Sequence, residues 1–154
     1  MIAYKLSLVM RIVLDTNVIY QALRSRSGAS YAILQLVRNG QLEIAISVPV
    51  FLEYSEVLTR ATSLRDLNLT DQEVESFLRF ISYIVKPFDI SFLMRPNLSD
   101  ESDNMFVDLA LSSNSRFLVT SNINDFTRGN ELIFDDFQVS PPGDFISHWR
   151  SQNE

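Results

Sequence analysis

At 154 residues the chain has the size of one domain, and 46% hydrophobic against 21% charged residues excludes a disordered chain. It has no cysteine, which removes disulfides, thiolate zinc sites and cysteine nucleophiles and suits a cytoplasmic location. A net charge of −6 leaves no broad basic surface for nucleic acid, so a phosphate ligand would need local arginine or a metal ion.

Residues 1–9 read as an N-terminal extension, since Met10 offers a second start; one domain is expected over residues 10–150. Arg11 cuts the apolar run Leu6 to Met10 short of a signal peptide, and no run approaches the length of a membrane span. Ile12-Val13-Leu14, ending at Asp15, predicts a buried strand of a parallel sheet. Thr16 or Asn17 then caps a helix through Arg24. A second helix carries Tyr31, Ile33, Leu34, Leu36 and Val37 and stops at Asn39-Gly40. Leu42 to Ile46 is the next strand. Ser47 caps a third helix with Pro49 just inside, expected to run to about Thr62.

Thr70-Asp71-Gln72-Glu73 is a capping box, followed at helical spacing by Val74, Phe77, Leu78, Ile81 and Val85. Pro87 breaks that pattern. Ser99 to Asp103 opens a helix to about Asn114, and Arg116 to Thr120 holds the strand Phe117-Leu118-Val119. After a polar loop, Phe137-Gln138-Val139 forms a short edge strand, and Pro141-Pro142 starts a last helix with Phe145, Ile146 and Trp149. The alternation predicts an α/β three-layer sandwich: a mainly parallel sheet of four or five strands with helices on both faces.

The single histidine, His148, excludes an HExxH zinc site, and Gly28, Gly40, Gly129 and Gly143 are too scattered for a dinucleotide or P-loop fingerprint. Carboxylates remain. In a parallel sheet ligands bind beyond the carboxyl ends of the strands, where Asp15-Thr16-Asn17 and Thr120-Ser121-Asn122 stand, with Asp125 further on. On the third helix Val50, Tyr54, Val57 and Leu58 define the apolar face; Glu53 falls on its flank, and Glu56 points to water. On the helix after Ser102 the face is Phe106, Val107, Ala110 and Leu111, with Asp103 on the same side and Asp108 on the far side.

Taken singly, Asp15 is a helix cap and Asp103 an acid at a helix N-terminus with Ser99 or Asp100 as cap. Taken together, Asp15, Glu53 and Asp103 reach one end of one sheet, which favours a shared ligand. Carboxylates without histidine or cysteine suit a hard cation, Mg²⁺ or Mn²⁺.

Met10-Arg11-Ile12-Val13-Leu14-Asp15-Thr16-Asn17-Val18 resembles the opening of PIN-domain nucleases. Ser47-Val48-Pro49 with Leu52-Glu53 resembles their second acidic motif, and Asp100-Glu101-Ser102-Asp103-Asn104 with Phe106 the third. Val119-Thr120-Ser121-Asn122 with Asp125-Phe126 resembles the fourth, and Val139-Ser140-Pro141 with Phe145-Ile146 the closing strand and helix. The branch is the VapC-like toxin component of toxin–antitoxin pairs. The resemblance implies an endoribonuclease that hydrolyses RNA phosphodiester bonds with Mg²⁺ or Mn²⁺ held by Asp15, Glu53, Asp103 and Asp125. It sets Thr16, Asn17, Asp100, Thr120, Ser121 and Asn122 around those acids, to orient carboxylates or water. Asn122 stands where many relatives have Asp. An antitoxin protein and a second copy of the chain are the implied partners, with RNA as substrate and no membrane.

Other readings compete with hydrolysis of RNA. An aspartyl phosphatase would want an acid two residues after Asp15, where Asn17 stands. A phospho-acceptor domain using Asp15 leaves Glu53 and Asp103 without a role, and a PIN-like module could bind RNA or protein without cutting. Substrate grip could come from Arg24, Arg26, Arg60 and Arg65, although scattered surface arginine is usually just solvated and the acidic total argues against a broad basic track.

Overall fold

The computed structural model describes residues 9–90, 101–127 and 136–153. Expectations that fall on residues 1–8, on Ser99 and Asp100, and on the loop at 128–135 lie outside the described residues. Five strands form one parallel sheet: β1 (Met10–Leu14), β2 (Leu42–Ile46), β3 (Lys86–Pro87), β4 (Phe117–Val119) and β5 (Gln138–Ser140). Their spatial order is β3-β2-β1-β4-β5. Among the described residues the helices are α1 (Thr16–Arg24), α2 (Ala29–Arg38), α3 (Val48–Leu58), α4 (Ala61–Leu67), α5 (Asp71–Ile84), α6 (Glu101–Ser113), α7 (Asn124–Thr127) and α8 (Pro142–Asn153).

Successive strand residues point to opposite faces, so a strand buried at every position is covered on both sides. Ile12, Val13 and Leu14 of β1 and Leu118 and Val119 of β4 are fully buried, as the continuous apolar runs require. On β2, α2 packs beside α1 and α8, while α6 lies along β1, β2 and β4 and meets α3. β3 is an edge strand, which is why Pro87 can sit in it without breaking a ladder.

Local chemistry accounts for most boundaries. Asp15 caps α1 by accepting the Thr16 N–H, so the helix begins one residue earlier than expected. Ser47 caps α3 through the Val50 N–H with Pro49 in the first turn. The expected extension of α3 to Thr62 is corrected. The Thr59 hydroxyl donates back to the Ser55 carbonyl, Arg60 turns extended, and α4 starts afresh, ending at Asn68 in the left-handed region at φ 56°. Val85 likewise leaves the helical stripe and is the extended cap leading into β3. The last strand is shifted by one residue from its expected place.

Asp108 is a second correction. It was expected on the outer side of α6, yet it is 2% exposed, because α6 is covered nearly all round and Phe106, Val107, Leu109 and Ala110 are buried with it. An apolar stripe in the sequence marks one buried face and is silent on whether the other is also covered.

The capping box of α5 forms as written: the Thr70 hydroxyl accepts the Glu73 N–H at 3.1 Å, and the Glu73 carboxylate accepts the Thr70 N–H at 2.9 Å. Thr70→Ala removes the first bond and should cost about 1 kcal/mol of stability. The expected result is a lower urea midpoint with an unchanged m-value; a midpoint equal to the parent's would show that the cap carries no stability.

Candidate active site

The chain runs from β1 outward to β2 and β3, then returns across β1 to β4, so the sheet reverses direction between β1 and β4. Helices before and after such a switch point leave in opposite directions and open a crevice at the carboxyl ends. Asp15 follows β1 and Thr120 follows β4 at that crevice, joined by the Asp15 N–H donating to the Val119 carbonyl at 2.9 Å.

Asp15 is 7% exposed. One carboxylate oxygen accepts the Thr16 N–H at 2.7 Å; the other accepts the Thr120 hydroxyl at 2.7 Å and the Asn17 amide at 3.2 Å. Asn17 also accepts the Ser121 N–H at 3.1 Å, so its side chain laces the end of β1 to the end of β4. Thr120 in turn accepts the Asn122 N–H at 3.0 Å. Thr16, Asn17, Thr120, Ser121 and Asn122 therefore form one hydrogen-bonded frame around Asp15, through backbone groups in the cases of Ser121 and Asn122.

Burial pushes the Asp15 carboxyl above the ordinary Asp range; the Thr120 and Thr16 hydrogen bonds oppose the shift, and the charges of Asp125 and Glu53 add to it. That influence places Glu53, on the flank of α3, and Asp125, in the first turn of α7, in electrostatic reach of Asp15. Glu53 is half-buried and accepts the Thr16 hydroxyl at 3.4 Å. Glu56 points outward and is held by Arg60, at 3.1 and 2.7 Å. The helical bearing read from the sequence thus separates the two glutamates correctly. Asp125 is exposed, its N–H donating to the Asn122 carbonyl at 3.1 Å. Asp103 is half-buried at the start of α6. Asp100 lies outside the described residues.

Tyr54 was read as a purely apolar residue, but its fully buried hydroxyl donates to the Leu14 carbonyl and pins α3 to the end of β1 beside Glu53. Burial, with the Asp15 and Glu53 charges behind it, pushes this phenol up. A tyrosine on a buried stripe needs a partner for its hydroxyl, and that need was the available signal. Asn104, in the stretch Asp100 to Asn104, is a further polar residue near the start of α6. It is 1% exposed, and its amide oxygen has no hydrogen-bond partner.

Neither Asp15, Glu53 nor Asp125 forms an ion pair among the described residues. Their donors are hard carboxylate oxygens, which fits a hard divalent cation. No three acidic, histidine or cysteine residues among the described residues are gathered closely enough to hold an ion by themselves. That is compatible with Mg²⁺, which keeps several waters and is commonly held by one or two carboxylates plus substrate phosphate.

An open parallel sheet with Asp15 framed by hydrogen bonds at its switch point defines the class as an α/β domain. Residues 11–124 match the PIN domain family, and the chain belongs to it. Among solved structures, the fold is similar to that of VapBC2 from Rickettsia felis, determined bound to a DNA fragment from its promoter. That match has 19% identity and a TM-score of 0.56, and covers 84% of this chain and 97% of the other. No curated protein matches the chain.

The departure at Asn122 gives a test of the fourth acid. Asn122→Asp adds charge beside Asp15 and should tighten a divalent ion, whereas Asp125→Asn should weaken it. Mn²⁺ titration of the parent and both variants, with turnover alongside, is the measurement. Parent-like binding and cleavage by Asp125→Asn would make Asp125 a surface acid.

Proposed function

We propose that the chain is a divalent-metal-dependent endoribonuclease of the cytoplasm, the toxin of a toxin–antitoxin pair, hydrolysing phosphodiester bonds of RNA. The observation that carries this reading is the buried Asp15 at the β1/β4 switch, with Glu53 and Asp125 in electrostatic reach and none of the three in an ion pair among the described residues. Asp15, Glu53, Asp103 and Asp125 would together hold Mg²⁺ or Mn²⁺, some of them through the waters that such an ion keeps. When bound, such an ion supplies an activated water and neutralises charge on the attacked phosphate.

The chain's own residues fix the geometry. Thr120, Asn17 and the Thr16 N–H hold the Asp15 carboxylate in one orientation, so little reorganisation is needed as charge develops. Tyr54 fixes the middle of α3 against the end of β1, next to Glu53 in sequence, and so sets the place of Glu53. The partners proposed are an antitoxin protein and a second copy of the chain. Val48, Leu52 and Tyr83 are 73%, 59% and 83% exposed, an apolar surface suited to such contacts. Among the described residues no helix is long and apolar enough to cross a membrane.

A panel of single-stranded RNAs incubated with Mg²⁺, Mn²⁺ or EDTA tests the reading. Internal cleavage in either metal and none in EDTA is expected. RNA bound in every condition and cut in none would make the chain a binding module instead.

A further inference from the structure

Of the four arginines named as a possible substrate grip, Arg26 and Arg65 form no ion pair among the described residues. Arg24 is tied to Asp66 at 2.8 Å and Arg60 to Glu56 at 2.7 Å, so both are already neutralised. Arg26 and Arg38, exposed and in no ion pair among the described residues, instead line a pocket of about 260 Å³ between α1, α2 and α5. Its floor includes the half-buried rings of Phe77 and Phe80, with Tyr31 and Gln35 on the α2 side. The two phenylalanines are tilted at 42° with centroids 6.3 Å apart, so neither covers the other's face.

No acid of the adjoining helices forms an ion pair with Arg26 or Arg38 among the described residues. Asp66 is taken by Arg24 and Tyr20, Glu73 by the capping box, and Glu75 by Arg79. In a chain of net charge −6, two free guanidinium groups over an aromatic floor are a local exception. A guanidinium fork matches a phosphate, and an aromatic face accepts any base. The pocket is smaller than the roughly 300–1,000 Å³ of drug-sized sites, which suits one base. It shares α1 with the acids: Asp15 caps the amino end of this nine-residue helix, and Ala22 and Leu23 line the pocket near the other, roughly 13 Å away at 1.5 Å per residue. A short single-stranded segment can bridge that distance.

We infer that this pocket anchors one nucleotide of single-stranded RNA, its phosphate on Arg26 and Arg38 and its base against Phe77 and Phe80, while a neighbouring phosphodiester lies at the acids. The assignment rests on the ribonuclease reading. It makes the pocket a determinant of how RNA is laid across the domain, remote from the chemistry itself.

Fluorescence anisotropy with fluorescein-labelled oligouridylate, in EDTA and on an Asp15→Asn background that cannot cut, tests it. Arg26→Gln with Arg38→Gln should weaken binding at least tenfold and flatten the salt dependence by about 1.4 in log–log slope, the share of two phosphate contacts. Arg116→Gln, at the opposite end of β4, makes the same kind of charge change and should leave binding within about twofold. Equal losses in the Arg116 control and the pocket variant would overturn the assignment, as would parent-like binding by the pocket variant. Arginine-dependent binding of a Glu–Tyr copolymer with RNA binding unaffected would also overturn it, and mark the pocket as a docking point for an acidic protein segment. In cleavage assays the pocket variant should raise KM and spare kcat. An unchanged KM in an active enzyme refutes the pocket alone, whereas RNA held through the pocket but never cut in Mg²⁺ or Mn²⁺ refutes the nuclease reading alone.

Discussion

Asp15→Asn should lower RNA cleavage by about 10³-fold or more, on the order of several kcal/mol of lost transition-state stabilisation, while leaving the fold intact. The substitution keeps the volume of the side chain and one acceptor for the Thr16 N–H, but removes the charge at the β1/β4 crevice. It should also raise the melting temperature of the metal-free protein. Burial and the Asp125 and Glu53 charges together hold the Asp15 carboxyl above its ordinary range, against the opposing hydrogen bonds. Between the ordinary Asp value and the raised one, the native state holds a proton that the unfolded chain has lost. Stability attributable to this group therefore falls as pH rises through that window, and the penalty is complete above it. In the Asn variant that decline is absent. Thermal melts of both proteins across the acidic range, with circular dichroism to confirm the fold, would show the two curves diverging as pH rises. A folded variant that cuts at the parent rate removes Asp15 from the chemistry.

Glu53→Gln is expected to cost on the order of 10²-fold in activity, and Glu56→Gln no more than about twofold. The two positions share a helix and a residue type, so helix propensity and shape change equally. They differ in bearing. Glu53 stands on the crevice flank of α3, reached by the Thr16 hydroxyl, and Glu56 is spent on an exposed pair with Arg60. Exposed pairs of this kind contribute little to stability, so the Glu56 variant should also melt close to the parent. Steady-state cleavage of one RNA by the three proteins reads the difference, and equal losses or the reverse order would refute the assignment of Glu53.

Much of this geometry was legible in residue order. Strands buried on both faces announce themselves as unbroken apolar runs, which is why β1, β2 and β4 stand where Ile12, Leu42 and Phe117 suggested. Caps are equally local, as with Ser47 and Thr70. The break between α3 and α4 was hidden because it depends on a back-bond from Thr59 and the extended turn at Arg60, neither of which disturbs the apolar spacing. The burial of Asp108 was hidden for a different reason: the covering of the outer side of α6 is a tertiary fact.

At the proposed site, the sequence offers candidate acids by their place after strands and on helix faces. It does not offer their hydrogen-bonded frame. Asn17 joins Asp15 to Ser121 across 104 positions, a link set by the reversal of strand order between β1 and β4. Tyr54 was visible as a core residue and invisible as a brace, because its partner is a main-chain carbonyl at the end of another element. Arg38 was passed over, and Arg24 and Arg60 chosen, since ion pairing between elements is not written in either element alone.

The central claim is that the acids at the carboxyl end of the sheet act together as one divalent-cation site. Isothermal titration of the full chain with Mn²⁺, run beside Asp15→Asn at the same pH, tests it most directly. Saturable binding by the parent and a loss of at least tenfold in affinity for the variant are expected. Binding of equal strength by both proteins, or no binding by a folded parent, would contradict it.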